Sequence, residues 1–227
     1  MIPLKDDSPS THKPYVTLAL IAACSLVFLW QRLLDAGAER RVVDALGAIP
    51  AVLLTDARLP HELEWIPRYG TPLTSLFLHG SWMHLGGNML YLWIFGDNVE
   101  DAMGHGRYAL FYFVCGVAAI LTQALFNSHS AYPIIGASGA ISGILGAYLL
   151  LFPRARVLTL VLLPFFFTTL RVPAMLLLLL WFAVQLLSDL AVTDGGAGIA
   201  FRAHIGGFLL GMLLVPFLKR SDVRLIA

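Results

Sequence analysis

"HGSWMHLGGNMLYLWIFG", His79 to Gly96, sets His84 and Asn88 four residues apart in a run otherwise apolar enough for lipid. Strongly polar and ionisable groups are expensive in such a setting and usually face a cavity or one another. The stretch therefore bears both on the solvent in which the chain folds and on where its chemistry sits. Composition answers the first point. Of 227 residues, 58% are hydrophobic and 13% charged, against about half and about a quarter in ordinary soluble domains. The chain reads as an all-α membrane protein. A formal net charge of +1 without a basic stripe argues against a nucleic-acid partner. Cys24 and Cys115 lie in apolar runs and read as small buried side chains. They form no metal-ligand spacing.

A spanning helix needs about 20 mostly apolar residues. Working outward from His79–Gly96, six segments qualify, near 15–34, 83–102, 107–127, 136–152, 173–190 and 203–218. The run "VLTLVLLPFFFTTLRVPAMLLLLLWFAVQLL" is too long for one straight span and is interrupted by Pro164, Arg171 and Pro173. Its first half reads as a segment at the interface or buried against the bundle, its second as the fifth helix. A signal-peptide reading of the first segment, with "AGA" at 36–38 as cleavage site, is the alternative there.

Lys and Arg near the helix ends orient the bundle. Lys5 and Lys13, Arg107, Arg154, Arg156 and Arg171, and Lys219, Arg220 and Arg224 are placed in the cytoplasm. Loops 35–82, 127–133 and 191–202 then face outward. The long loop carries arginines too, but acidic residues accompany them, and long loops count less. The expected organisation is a cytoplasmic segment 1–14, a six-helix membrane unit 15–218 that includes loop 35–82, and a cytoplasmic segment 219–227.

Depth follows from helical rise. Ser138 lies 16 residues before Arg154 and His204 15 before Lys219, roughly 24 and 22 Å of helix. His84 and Asn88 precede Asp101 by 17 and 13 residues, roughly 26 and 20 Å. All four are therefore expected at one level, below the outer surface. Glycines explain how these helices could approach. Gly139 and Gly143, and Gly207 and Gly211 beside Gly206, have the GxxxG spacing that lets two backbones meet.

A serine hydroxyl becomes a useful nucleophile when an imidazole accepts its proton. Ser138 beside His204 would be such a pair. The resulting oxyanion needs donors. Free backbone N–H groups at a helix start after Gly136 could supply them, together with His84 and Asn88, which share a helix face. A third member is not evident: Asp189 near the outer end of the fifth helix could as easily face solvent, Asp97 and Asp101 lie toward the wrong end, and the expectation is a dyad of Ser138 and His204. Water is expected to arrive through a polar cavity under loop 35–82.

"HGSWMHLGGN", "GASG" and "AHIGG", in this order on the second, fourth and sixth candidate helices, resemble the rhomboid family of intramembrane serine proteases over residues 71–211. The resemblance implies a six-helix core whose site opens outward. It makes Ser138 the nucleophile and His204 the general base, puts His84 and Asn88 in the oxyanion hole, and gives His79 a structural role. It implies no metal or other cofactor. The implied substrates are membrane proteins with a transmembrane helix, cut within the lipid bilayer of a bacterial-type cell membrane. Substrate access is implied at 173–190 and 191–202. Two positions depart from the pattern. Ser142 stands where many relatives carry an aromatic residue packed on the histidine, and Trp65 and Arg68 stand apart where relatives often carry an adjacent Trp-Arg pair.

Three other readings compete. An inactive relative usually lacks the serine or the histidine, and both are present. A transporter or proton pathway would want polar residues across the membrane rather than in one layer. A metalloprotease would want H-E-x-x-H, which the sequence does not contain.

Overall fold

The computed structural model describes residues 1–162, 166–191 and 200–226. The chain runs through β1 (Ile2–Asp6), α1 (Tyr15–Leu33), α2 (Ala36–Leu46), α3 (Pro50–Leu54), α4 (Thr71–Thr74), α5 (Trp82–Met103), α6 (His105–Phe126), α7 (Ser138–Leu151), β2 (Arg156–Leu162), β3 (Phe167–Pro173), α8 (Ala174–Ala191) and α9 (Phe201–Leu218). Helices occupy each of the six apolar segments. Four of them, α1, α6, α8 and α9, are long and apolar enough to cross a membrane, and α7 is a shorter apolar helix.

Local chemistry sets the boundaries that matter for the site. Ser81 caps α5, its hydroxyl accepting from the His84 N–H at 3.1 Å, which satisfies one of the donors left free at a helix start. Gly104, at φ +81°, turns the chain directly from α5 into α6, a conformation that costs glycine nothing and other residues a good deal. The 14 residues of α7 give a helix of about 21 Å, and almost all of them are buried against α5, α6 and α9. This shortness puts its first residue inside the bundle rather than at its surface.

The fold is mostly helical but not all-α. The segment expected at the interface or buried against the bundle forms two strands, β2 and β3, antiparallel in the register Leu158↔Arg171 and Leu160↔Thr169. β1 completes a three-stranded sheet through Ile2↔Leu160 and Asp6↔Val157. Val157, Thr159, Val161, Thr168, Thr169 and Val172 are β-branched, and such side chains suit a pleated surface better than a helix. The segment 1–14 is correspondingly docked rather than loose. Asn98 Nδ2 donates to the Ser8 carbonyl at 3.1 Å, and the Thr11 N–H donates to Asp101 at 2.8 Å. The buried Glu100 carboxylate accepts from the N–H groups of Val16 and Thr17 at 2.9 and 2.8 Å, capping α1. At the other terminus the Ile226 N–H reaches the Leu150 carbonyl at 2.7 Å.

Loop 35–82 folds over the segment that leads into α7. Ala48 and Ile134 form an isolated bridge, and the Ala51 N–H donates to the Ser130 carbonyl at 3.0 Å. A cleft of about 530 Å³ within the loop is lined by Ile49, Val52, Arg58, Trp65 and Arg68 among others, and not by Ser138 or His204. It is not the polar cavity expected to water those residues. Cys24 and Cys115 are both free and fully buried.

Candidate active site

The site is assembled by the contact between α7 and α9. A Cβ built on Gly207 would lie 2.2 Å from the Gly139 carbonyl oxygen, and one on Gly211 2.0 Å from that of Gly143. Only hydrogen fits at these positions, so the two backbones pack directly on each other. Gly206 faces a different neighbour, Thr122 of α6. Ser138 begins α7 and His204 lies in the first turn of α9. His204 Nε2 is 2.8 Å from Ser138 Oγ. Ser138 is half-buried and His204 buried.

Beyond the imidazole, Nδ1 is 2.7 Å from the amide oxygen of Gln185 on α8. With Nδ1–H donating to that oxygen, the Nε2 lone pair is left to accept from the serine hydroxyl. Trp181, one turn before Gln185 on the same helix, sets its ring 6.0 Å from that of His204, tilted by 35°. Ser142 cannot play that part. Its hydroxyl donates to the Ser138 carbonyl at 2.7 Å. The ring is thus held from α8, not from α7.

A second group converges on the residue just before the serine. Gly136, at φ +114°, accepts a fold-back that a side chain would obstruct: a Cβ there would lie 2.6 Å from His84 Nε2 and 3.6 Å from Asn88 Nδ2. The His84 Nδ1 faces the Gly80 N–H at 3.5 Å, which leaves Nε2 to carry the proton. Asn88 Nδ2 is buried without a partner among the described residues, an arrangement that costs about 1–3 kcal/mol per donor. The first N–H of α7 bonded back into the helix is that of Ile141, to the Ala137 carbonyl, so the amides at the start of α7 have no intrahelical acceptor. His79 supports this group from behind. It is fully buried, donates from Nδ1 to the Phe77 carbonyl at 3.2 Å and meets the His84 ring edge-on at 5.1 Å.

The carboxylates weighed as third members lie elsewhere. Asp189 pairs with Arg202 at 2.8 Å, and that guanidinium also donates to Asn127. Asp101 is engaged with Thr11 and His12. Gln185 was missed by sequence reasoning, although its signal was of the same kind as that of His84: a lone amide in the run "MLLLLLWFAVQLL". Residues 192–199, most of the implied access loop, lie outside the described residues. Among the described residues no cluster of three or more His, Cys, Asp or Glu side chains could hold a metal ion.

Comparison with known proteins bears on the family. The profile of the Rhomboid domain matches residues 68–221. Rhomboid protein 1, mitochondrial, of Saccharomyces cerevisiae is 30% identical over 156 residues, 65% of this chain and 41% of the yeast protein. Rhomboid protease GluP of Bacillus subtilis is 34% identical over 137 residues, 60% of this chain and 24% of its own length. The mouse presenilin-associated rhomboid-like protein, mitochondrial, is 26% identical over 206 residues, 83% of this chain and 50% of that protein. The chain thus spans half or less of each of these relatives. With the family profile covering more than half of the sequence and apolar helices repeated along it, this multi-pass integral membrane protein belongs to the rhomboid family.

Proposed function

We propose that the chain is an intramembrane serine endopeptidase that cleaves transmembrane segments of other membrane proteins. The observation that carries the reading is the 2.8 Å separation of His204 Nε2 and Ser138 Oγ inside an apolar helical bundle. Six helices, α1 and α5 to α9, form the membrane unit over 15–218, loop 35–82 included. Segments 1–14 and 219–227 lie in the cytoplasm, and the site opens outward in a bacterial-type cell membrane. The yeast and mouse relatives are named as mitochondrial, so a mitochondrial membrane is the alternative setting.

In this mechanism Ser138 Oγ attacks the scissile carbonyl carbon while its proton passes to His204 Nε2. The electron pair of the carbonyl moves onto oxygen. That oxyanion is met by Asn88 Nδ2, the His84 Nε2–H and the backbone N–H of Ser138, donors already in place before charge develops. As the tetrahedral intermediate collapses, the C–N bond breaks and the Nε2 proton goes to the leaving amine. Water then attacks the acyl-serine with His204 again as base, and the serine hydroxyl is restored. Gly136 leaves room for the His84 ring beside Ser138, Gly139 lets α7 pack on Ala119 of α6, and Gly207 keeps α9 against α7.

The test uses the full chain in liposomes with a single-span reporter protein. Ser138→Ala abolishes both cleavage and labelling by a fluorophosphonate probe while the variant still folds. Cleavage that persists in Ser138→Ala would defeat the assignment.

A further inference from the structure

Asp189 and Asp101 are engaged elsewhere, yet the inner nitrogen of His204 is not bare. We propose that Gln185 is a positioning residue for His204: its amide oxygen fixes the tautomer and the ring orientation in which Nε2 can take the Ser138 proton. The inference rests on the protease reading above and deepens it by naming what stands where a carboxylate would otherwise stand.

Geometry supports the role in three ways. The Gln185 oxygen lies 2.7 Å from Nδ1 while Ser138 Oγ lies 2.8 Å from Nε2, so hydroxyl, imidazole and amide form one chain. Gln185 is itself buried, at 8% exposure, so water does not compete for the bond. Trp181, four residues earlier on the same face of α8, covers the ring and in turn packs on Phe208 of α9. One turn of α8 thus supplies both a hydrogen bond to the edge of the imidazole and an aromatic wall to its face. The aromatic residue missing at position 142 is replaced from a different helix.

The choice of an amide has a chemical consequence. A carboxylate can only accept, whereas an amide can also turn over and offer its NH2 to Nδ1. In the turned state Nδ1 becomes the acceptor, the ring proton moves to Nε2, and the base faces the serine with no lone pair. Gln185 therefore permits one productive and one unproductive arrangement. The isosteric Gln185→Glu removes the second, because an ionised carboxylate accepts from Nδ1–H only. Gln185→Met keeps the length and the apolar packing but offers no strong acceptor.

The experiment measures kcat and KM for the single-span reporter with the full-length wild type, Gln185→Met and Gln185→Glu, alongside Ser138→Ala. Gln185→Met lowers kcat by about 10- to 100-fold, a part of what general-base catalysis contributes, and leaves KM within about threefold. Gln185→Glu restores kcat to wild-type level or above. A merely structural glutamine would not be rescued by a buried carboxylate. A second readout is independent of turnover: the His204 Nδ1 proton gives a low-field NMR signal in histidine-labelled wild type and in Gln185→Glu, and loses it in Gln185→Met. Wild-type kcat in Gln185→Met, or equal losses in Met and Glu variants, overturns the positioning role while Ser138-dependent cleavage stands. Wild-type protein without Ser138-dependent cleavage overturns the protease reading and this role with it.

Discussion

Gly207 and Gly139 meet backbone to backbone, so closely that a single methyl on Gly207 would fall 2.2 Å from the Gly139 carbonyl oxygen. Gly139 follows Ser138 directly, and His204 lies one helical turn before Gly207, so this contact sets the distance between hydroxyl and imidazole. Gly207→Ala pushes the helices apart where the chemistry is least tolerant. Overpacking of this kind costs about 1–3 kcal/mol, and a misplacement of about 1 Å costs up to ~10²-fold in rate. Gly211→Ala, which meets the Gly143 carbonyl one turn further from the site, lowers the melting temperature in detergent similarly and cleavage less. Equal activity losses in the two variants would separate the packing from the geometry of the pair.

Asn88 offers a test of the oxyanion reading. Asn88→Ala slows kcat about 10²-fold, the lower end of what one lost donor costs, with KM little changed. Gly136→Ala deletes no functional group but drives a methyl onto His84 Nε2, and it is expected to be at least as damaging. Steady-state cleavage of the reporter distinguishes these outcomes, and full rates in Asn88→Ala would remove that side chain from the mechanism.

Glu100 acts at the opposite end of α5 from His84, where its carboxylate receives two N–H groups of α1 and faces His105 Nδ1 at 2.6 Å. Hydrogen bonds to charged groups contribute about 1.5–3 kcal/mol each, so Glu100→Ala lowers thermal stability by several degrees. Cleavage per folded molecule is expected to stay at wild-type level. A variant that melts normally would show that α1 does not depend on this cap.

Asp6 predicts a pH dependence. Burial raises its carboxyl above the ordinary value, although the Tyr148 hydroxyl donates to it. A group whose folded value is raised contributes stability that is fully present below its unfolded value and lost as pH rises through the folded one. Asp6→Asn stays neutral and can still accept from Tyr148. Its melting temperature should therefore gain on that of the wild type as pH climbs from about 4 toward 7, across and above the ordinary carboxyl range. Parallel melting curves at all pH values would contradict the assignment.

The helices are legible because a run of some 20 apolar residues has few other uses, and the expectation of one level for Ser138, His204, His84 and Asn88 rests on helical rise counted back from the charges at the helix ends. The sheet was not. Val157 to Leu162 and Phe167 to Val172 are as apolar as a buried helix, and over so short a run periodicity does not separate the two. The strand that completes the sheet, Ile2–Asp6, carries no pattern of its own and finds its partner some 150 residues away. Gln185 is illegible for a different reason: a third member is expected to be a carboxylate, and Asp189, one turn further along α8, is paired with Arg202.

That same strand imposes an order on biosynthesis. Ile2 pairs with Leu160, so a ribosome adding ~5–20 residues per second leaves the edge unmatched for roughly 8–30 s. Throughout that interval α1 and α5 can already be threaded into lipid, while the hairpin that leads into α8 has still to be made. The helix that bears Trp181 and Gln185 is therefore anchored only after most of the bundle has been made, and the contact of His204 with Ser138 and Gln185 closes late in the life of the nascent polypeptide.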